Sequence, residues 1–187
     1  MASSELTIQA IVQAVKTLMR KRPIDRLSIS DITRECGLSR NTLYYHFRDK
    51  YEIVEWIFEQ EIKPVIKPLL TEDTWVESLA VLTDRMKEDQ DFYTNAVKNT
   101  GANSFVELLT RLYKEFLMET AQQNAAGIMD TRQQELAARF YSHGIIGMLT
   151  DWVAFGMKQD VREANQVIAA AIGNNIFRKQ KPVLDSL

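Results

Sequence analysis

The sequence predicts an all-α protein, and three observations carry this prediction. Only 4 prolines and 7 glycines occur in 187 residues, and so few helix breakers favour helices over many short strands. Apolar residues recur at three- and four-residue steps, the spacing of one helix face. The alternation typical of strands occurs over no useful length. The chain is long enough for one domain with a sizeable core or for two small ones, and its hydrophobic content of 45% is ordinary for a globular protein.

Composition also bounds the compartment. Cys36 is the single cysteine and cannot form an internal disulfide, so we expect a reducing, cytoplasmic location. The basic residues of the first segment follow its apolar ones, the reverse of a signal peptide, and we expect no export signal. No window approaches ~18 apolar residues, so we expect no membrane partner.

The charge is uneven along the chain. The net charge is −2, but residues 1–50 hold 9 Lys and Arg against 5 Asp and Glu, whereas residues 51–187 hold 14 against 20. A basic first block on an acidic body suggests a polyanionic partner at one end. A solvated surface would give the same count, so charge alone leaves the two interpretations equal.

The first 50 residues predict three helices. An amphipathic helix over about residues 4–21 stops at Pro23. Ser30 is a candidate N-cap for a short helix over residues 31–36, and a glycine suited to the left-handed conformation follows it. Ser39 then caps a second short helix, about residues 40–47. A helix, a glycine turn and a helix within about twenty residues make a helix-turn-helix.

The remainder predicts further helices. Asp49 and Glu52 form a capping-box pattern that opens a long helix, which Pro64 and Pro68 kink or end. Thr71 or Asp73 starts the next helix. We expect the others at about residues 92–97, from 105 onward, at 132–157 and at 161–178, with the segment AQQNAAGIMD as a loosely structured link.

The second short helix carries the chemistry of base recognition. Leu43 and Phe47 lie four residues apart and should face inward with Leu38 and Ile32. The outward side then presents Arg40, Asn41, Tyr44 and Arg48. In the major groove arginine pairs with guanine and asparagine with adenine.

Three further residues can contact phosphates. Tyr45 and His46 lie near the end of that helix, where hydroxyl and imidazole N–H groups reach phosphate oxygens. Lys50 begins the next helix, where its charge and free backbone N–H groups make an anion site. Alternatively the tyrosines are packing aromatics. No partner at metal-ligand spacing supports His46 as a metal ligand, and we expect no metal.

These residues form a recognisable motif. SISDITRECGLSRNTLYYHFRDKYEIV closely resembles the DNA-binding motif of TetR-family regulators, and its strongest stretch is Thr42, Leu43, Tyr44, Tyr45, His46, Phe47, Asp49 and Lys50. The resemblance covers about residues 8–62. It implies an all-helical fold, with a three-helix DNA-binding domain at 1–50, a linking helix from 49, and an effector-binding and dimerisation domain at 51–187.

The resemblance also implies residue roles. Arg40, Asn41, Thr42 and Tyr44 would face bases, and Tyr45, His46 and Lys50 would hold the DNA backbone, with Ser39 beside them. Two later segments, FYTNAVKNTGANSFVELLTRLYKEF and RFYSHGIIGMLTDWVAFGMKQD, are similar to the C-terminal region of regulators of the dihydroxyacetone kinase operon type. This second resemblance indicates architecture and names no substrate.

The C-terminal part holds two sets of candidates. For a ligand pocket they are Phe92, Tyr93, Phe105, Tyr113, Phe116, Phe140 and His143, although a core or interface position is the favoured interpretation of His143. For a dimer interface they are Gly144, Gly147, Met148, Trp152 and Phe155, on a helix that is apolar nearly all round. The alternative interpretation is that this helix is an ordinary buried core helix. Small residues there allow another helix to approach closely.

The motifs separate the function classes. No phosphate loop, metalloprotease motif, nucleophile elbow or paired-cysteine motif occurs, so we expect no catalytic residues, no cofactor and no enzyme. The leading hypothesis is a ligand-responsive, homodimeric repressor that binds a double-stranded DNA operator and an unknown small-molecule effector. The alternative is a regulator that acts mainly through a partner protein or as an activator.

Overall fold

A computed structural model describes residues 2–99, 101, 103–124, 129–159 and 161–173. Every regular element in these ranges is helical, which confirms the predicted fold class. The α-helices, in chain order, are α1 (Ala2–Met19), α2 (Ile29–Cys36), α3 (Arg40–His46), α4 (Lys50–Ile57), α5 (Lys63–Ile66), α6 (Trp75–Glu88), α7 (Gln90–Ala96), α8 (Phe105–Asn124), α9 (Thr131–Ala154) and α10 (Val161–Gly173). Short 3-10 turns lie at Ile24–Arg26 and Lys67–Leu69, and a π-helical turn lies at Phe58–Ile62.

Helix α2 begins earlier than predicted. Its N-cap is Ser28 and not Ser30: the Ser28 hydroxyl accepts the Asp31 backbone N–H at 3.1 Å, and the Asp31 carboxylate accepts the Ser28 N–H at 3.0 Å. This reciprocal capping box satisfies two donors that the helix start would leave unpaired. The bonds from Ser28 also lower the pKa of Asp31. The Ser30 hydroxyl is therefore free for another contact.

The turn around α3 follows the predicted signals. Gly37 ends α2 at φ 69°, a conformation that glycine adopts at no steric cost. Ser39 caps α3, and Asp49 caps α4 by accepting the backbone N–H groups of Tyr51 and Glu52. The capping box expected of Glu52 is not formed, because its carboxylate accepts the N–H of Arg48 instead of that of Asp49.

A small core holds α1 to α3 together. Ile32 and Leu43 are fully buried, and Phe47 is nearly so, while Leu38 and Cys36 pack against them. The inward face predicted for α3 is thus confirmed. Because these side chains fill the interior, the opposite side of α3 is left to solvent.

The helix that begins at α4 changes its geometry beside Pro64 and gives way to a 3-10 turn at Pro68, as the two prolines predicted. It passes through the π-helical turn and continues as α5, which contains Pro64 near its start. Proline removes one backbone donor and crowds the preceding turn, so a local change of helical geometry is expected beside it. The same element carries Phe58, Ile62 and Ile66 into the core.

The later helices differ from prediction at their ends. Helix α8 continues to Asn124, so part of the segment expected to be a link is helical. Asp130 caps α9, which ends where Gly156 and Met157 adopt positive φ values of 79° and 57°. The last helix was expected to reach residue 178, and residues 174–178 lie outside the described residues.

Packing places the elements. Helix α8 runs along α9, α6 packs against α5 and α10, and α1 contacts α2, α4 and α7. Helix α1 thereby joins the first three helices to the body. Within the described residues, no helix is both long and apolar enough to cross a lipid bilayer.

Candidate nucleic-acid interface and effector region

The outward side of α3 is exposed, as its buried side requires. Arg40 and Asn41 are exposed at its first turn. Tyr44 and Tyr45 are 53% and 82% exposed, which is unusual for such large side chains. An exposed arginine, an exposed amide and two exposed aromatic rings on one short helix form a candidate binding surface.

Two of the residues predicted to contact DNA, Ser39 and Thr42, form hydrogen bonds with each other. The Ser39 hydroxyl accepts the Thr42 backbone N–H at 3.0 Å, and the two side-chain hydroxyls lie 2.8 Å apart. Ser39 therefore fixes the start of α3, and Thr42 is half-buried beside it. This leaves Arg40, Asn41 and Tyr44 as the more available side chains.

Arg40 has a partner that the sequence did not reveal. Its guanidinium donates to the hydroxyl of Ser30 at the start of α2. Arginine carries five N–H donors, so one such bond orients the side chain and leaves donors for a base edge. The sequence did contain a signal for this contact. Ser28 and Asp31 have the spacing of a capping box, and with Ser28 as the N-cap the Ser30 hydroxyl is available to Arg40.

The Lys50 ammonium is bonded within the protein and does not lie in an open anion site. Its ammonium donates to the backbone carbonyls of Asp25 and Leu27 at 3.0 and 2.8 Å. Lys50 thus ties the start of α4 to the turn before α2, which corrects the expectation of a lysine held free for phosphate. One N–H of the ammonium remains for an external acceptor.

A second bond reinforces this junction. The Tyr51 hydroxyl donates to the Asp25 carboxylate at 2.8 Å, and this bond raises the pKa of Tyr51.

Near the end of α3, the Tyr45 and His46 rings meet edge to face with centroids 5.0 Å apart. His46 is half-buried and Arg48 is exposed. These residues border the exposed side of α3, where phosphates would flank a bound groove.

Two known families of bacterial regulators match this chain. The family described as "Bacterial regulatory proteins, tetR family" matches residues 5–57, and the family described as "Transcriptional regulator C-terminal region" matches residues 73–174, which is more than half of the chain. The chain belongs to the TetR family. TetR-family proteins are DNA-binding transcriptional regulators and not enzymes, and the resemblance read from residues 8–62 is confirmed.

Individual relatives agree with this assignment. The "HTH-type dhaKLM operon transcriptional activator DhaS" of Lactococcus lactis subsp. lactis (strain IL1403) is 31% identical over 93 residues, which is 50% of each chain. The chain thus spans about half the length of this curated relative. Among solved structures, "Dihydroxyacetone kinase operon activator DhaS" matches with TM-score 0.62 at 20% identity over 91% of this chain and 96% of that one.

A second solved structure shares the fold. Native NalD, the secondary repressor of the MexAB-OprM multidrug efflux pump in Pseudomonas aeruginosa, matches with TM-score 0.58 at 19% identity. The match covers 94% of this chain and 97% of NalD. Both TetR-type structures therefore support the arrangement of an N-terminal helix-turn-helix domain and a helical C-terminal domain.

Most of the aromatic residues expected to line a pocket are packed core. Tyr93 contacts Phe92 and Phe105, with ring centroids 5.0 and 5.4 Å apart. Tyr113 is fully buried, and its hydroxyl pairs with that of Ser78 at 2.8 Å. Burial raises the pKa of both tyrosines. Phe116 is also buried, so these rings pack inside the C-terminal domain, and Phe92 and Tyr93 also border a polar depression beside Arg85.

Two pocket candidates lie on the outside. Phe140 is 72% exposed, and His143 is exposed with its Nδ1 2.8 Å from the Arg139 carbonyl oxygen. Neither can line an interior pocket of this chain. The expectation failed because α9 is apolar on two sides, and the side that carries Phe140 faces away from the core formed by residues such as Ala138 and Ile145.

That outward side of α9 carries several exposed apolar residues, with the exposed carboxylate of Asp151 among them near its end, and we call this surface the α9 stripe. Its large exposed members are Leu136, Phe140, Met148 and Phe155, and Gly144 and Gly147 lie between them. A Cβ added at either glycine would meet nothing within 4 Å. Trp152, expected in the same interface, is instead buried, and its indole N–H donates to the Gln159 carbonyl at 3.0 Å.

A cavity of about 180 Å³ lies between α6, α9 and α10, where the sequence predicted none. Apolar side chains form most of its lining: Leu79, Ile145, Met148, Leu149, Trp152, Phe155, Val161 and Ile168. Its polar lining comes from Thr83, Asp151, Gln159 and Asn165. The gap depends on how three separate helices meet, and no local pattern in the sequence reports such a gap.

Proposed function

We propose that this TetR-family chain binds a double-stranded DNA operator through α3. The observation that carries the proposal is the exposed side of α3, where Arg40, Asn41 and Tyr44 lie together while the opposite side is fully buried. Arg40 and Asn41 supply the bidentate donors and acceptors that read guanine and adenine. Tyr45 and His46 flank them as phosphate contacts.

The proposed domains follow from the same geometry. Residues 1–50 form the DNA-binding domain, α4 links it to the body, and residues 51–187 form the effector and dimerisation domain. Because the operator belongs to the chromosome, we infer that the protein works in the cytoplasm. Lys50 supports this division, because its ammonium donates to the Asp25 and Leu27 carbonyls and so holds the linking helix against the first domain.

The α9 stripe supports a homodimer. Its exposed apolar side chains form a patch that a lone soluble subunit would rarely leave uncovered. Gly144 and Gly147 allow the backbone of a second helix to approach closely. A two-fold pair built on this stripe would present two copies of α3, and helix-turn-helix dimers read half-sites ~34–36 Å apart in successive major grooves.

We infer a ligand-responsive repressor. An effector that binds the C-terminal domain better in one spacing of the two α3 helices shifts the protein toward that spacing. Activation is the second candidate, because the relative that is 31% identical is named a transcriptional activator. The bound position relative to a promoter separates the two, since repressors occlude and activators recruit.

Selection from a random duplex library tests the proposal. We expect a two-fold symmetric site with half-sites one helical turn apart, bound with steep salt dependence. Transcription from a promoter placed beside the selected site then gives the sign of regulation. Enrichment of no sequence, with equal affinity for all duplexes, would contradict operator binding and favour a regulator that acts through a partner protein.

A further inference from the structure

The guanidinium of Arg40 and the hydroxyl of Ser30 join the two helices of the helix-turn-helix. Arg40 is the first residue of α3, Ser30 lies in the first turn of α2, and the arginine Nη2 donates to the serine Oγ. Ser30 is half-buried, whereas Arg40 is exposed. The contact therefore holds a long, charged side chain in place at the surface of the first domain.

Ser30 is a rigid acceptor, because its turn of α2 is fixed from both ends. The capping box of Ser28 closes the start of the helix just before it. The Thr33 hydroxyl donates to the Ser30 carbonyl at 3.3 Å. The backbone N–H groups of Gly37 and Leu38 both donate to the Thr33 carbonyl. These bonds fix the turn between α2 and α3, and with it the position of the Ser30 oxygen relative to α3.

The partner of Arg40 is neutral, and this matters for binding DNA. A carboxylate would hold the guanidinium through strong charge-assisted bonds and compete with DNA for it. The carboxylate on the same turn of α2 is that of Asp31, which accepts from Ser28 and lies 3.1 Å from the Nη2 atom of Arg22. The Ser30 hydroxyl instead orients Arg40 and leaves its positive charge uncompensated.

The bond to Ser30 also leaves enough donors for a base. A guanidinium has five N–H groups, and recognition of guanine O6 and N7 takes two of them. An arginine that moves freely in solvent gives up rotamer freedom when it binds, whereas one that is already held gives up less. Because the held orientation suits one contact and not others, it contributes to sequence preference as well as to affinity.

We propose that Ser30 is a positioning residue for base recognition: it holds the Arg40 guanidinium in the orientation that pairs with guanine. The residue at this place on α2 then sets how strictly α3 demands a guanine at one position of each half-site. The proposal rests on the proposed function, operator binding through α3, and deepens it by giving a specificity role to a side chain that lies outside α3.

Site selection from a random duplex library, run on the full chain, tests the specificity. Ser30→Ala removes the acceptor, and we expect it to relax the same position of each half-site that Arg40→Ala relaxes. Its affinity for the wild-type site should fall roughly threefold to tenfold for each half-site, the effect of one side chain that is no longer held. Ser4→Ala, which removes an exposed hydroxyl from α1, is the matched control and should select the wild-type site.

Three outcomes of the selection overturn the proposal. An unchanged site and affinity in Ser30→Ala shows that the hydroxyl has no role in recognition. Equal weakening on all duplexes, with the guanine preference retained, makes Ser30 a phosphate contact. A further loss of preference when Ser30→Ala is added to Arg40→Ala shows that Ser30 reads a base by itself, since a residue that acts through Arg40 has no effect once Arg40 is gone.

A pair of variants guards against effects of shape and folding. Ser30→Thr and Ser30→Val introduce side chains of nearly the same shape, and only the first carries a hydroxyl. We expect Ser30→Thr to keep the guanine preference and Ser30→Val to relax it. Because the N-cap of α2 is Ser28, neither variant removes a cap bond, and the thermal unfolding curves should stay near wild type. Identical selection by the two folded variants overturns the role of the hydroxyl.

A measurement without DNA separates this proposal from the proposed function. NMR relaxation of the ¹⁵N-labelled Arg40 guanidinium reports its motion in the free protein. We expect restricted motion in the wild type and rapid motion in Ser30→Ala. Equal mobility in the two proteins overturns positioning by Ser30, whatever the DNA experiments give. Restricted motion in a wild type that enriches no sequence overturns operator binding, and base recognition with it, while the contact between Ser30 and Arg40 stands.

Discussion

Arg20, just beyond the end of α1, donates hydrogen bonds to both carboxylate oxygens of Asp89, the residue between α6 and α7. The distances are 2.7 to 3.2 Å. Nearby, the Asn95 side-chain amide donates to the Met19 carbonyl at 2.8 Å. These bonds join the helix that supports α3 to the body of the molecule. A movement of α6 or α7 must therefore move α1 or break the contact.

Asp89→Asn tests the Arg20 contact as a stabilising link. We expect a loss of roughly 1 kcal/mol in the free energy of unfolding, a modest value because Arg20 is nearly half exposed and water screens the pair. Urea denaturation at neutral pH measures it. Asp84→Asn, at an exposed position of α6, is the control and should leave the midpoint unchanged.

The same variant predicts a pH dependence. The bonds from Arg20 lower the pKa of Asp89 in the folded state, so their stabilisation is fully present above the unfolded value of about 3.9. It is lost as the pH falls through the lowered folded pKa. The stability difference between wild type and Asp89→Asn should thus be constant from neutral pH down to about 5 and vanish in stronger acid. A difference that grows in acid would contradict the assignment.

Arg40→Ala tests base reading. If the guanidinium that is oriented by Ser30 pairs with a guanine, the variant should lose ~1–3 kcal/mol on the selected operator and accept any base at one position of each half-site. Site selection from a random library measures the preference. Arg34→Ala, an exposed arginine on α2, is the matched control and should keep the wild-type site. Identical half-sites from wild type and Arg40→Ala would remove Arg40 from the base-reading set.

Local signals explain why the first domain was predictable. The helix-turn-helix depends on neighbours in sequence, such as Gly37 ending α2 and Ser39 capping α3, and the chain shows these directly. One error there, Ser30 in place of Ser28 as the N-cap of α2, concerned two serines that are both flanked by helix-compatible residues. The carbonyl partners of Lys50 lie 23 and 25 residues away, a separation that no local pattern encodes.

The second domain was less predictable for a physical reason. Periodicity shows that α9 is a helix, but both sides of it are apolar, and only the arrangement of α8 and α10 decides which side is buried. The predicted locations of Phe140 and Trp152 were consequently reversed: Phe140 lies on the surface and Trp152 in the interior. The cavity beside Asn165 depends on the same packing and could not be predicted at all.

Lys50→Ala separates a structural role from a phosphate contact. Loss of the bonds to the Asp25 and Leu27 carbonyls should lower the thermal midpoint, because two acceptors lose a charged donor. If the third N–H also contacts phosphate, the slope of log affinity against log salt should fall by ~1 for each copy of the site. Lys21→Ala, an exposed lysine beyond α1, is the control for general charge. A lower midpoint with an unchanged slope would leave Lys50 a purely structural residue.

Gly147→Arg tests the α9 stripe as the dimer interface. A Cβ added at Gly147 meets nothing within 4 Å inside the subunit, and Gly147 is exposed, so we expect the arginine to leave the fold of the subunit intact. Against a second subunit it places a bulky charge in an apolar contact, which is costly to bury unpaired. We expect light scattering at micromolar concentration to show a folded monomer for the variant and a dimer for the wild type.

The control for this variant is Gln122→Arg, which places the same charge at an exposed position of α8 and should remain dimeric. Circular dichroism and thermal unfolding establish that the Gly147→Arg subunit is folded. Because a monomer presents one α3 helix, its affinity for the full operator should fall toward that for a single half-site. A Gly147→Arg protein that stays dimeric and binds the full operator as tightly as wild type would move the dimer interface away from α9.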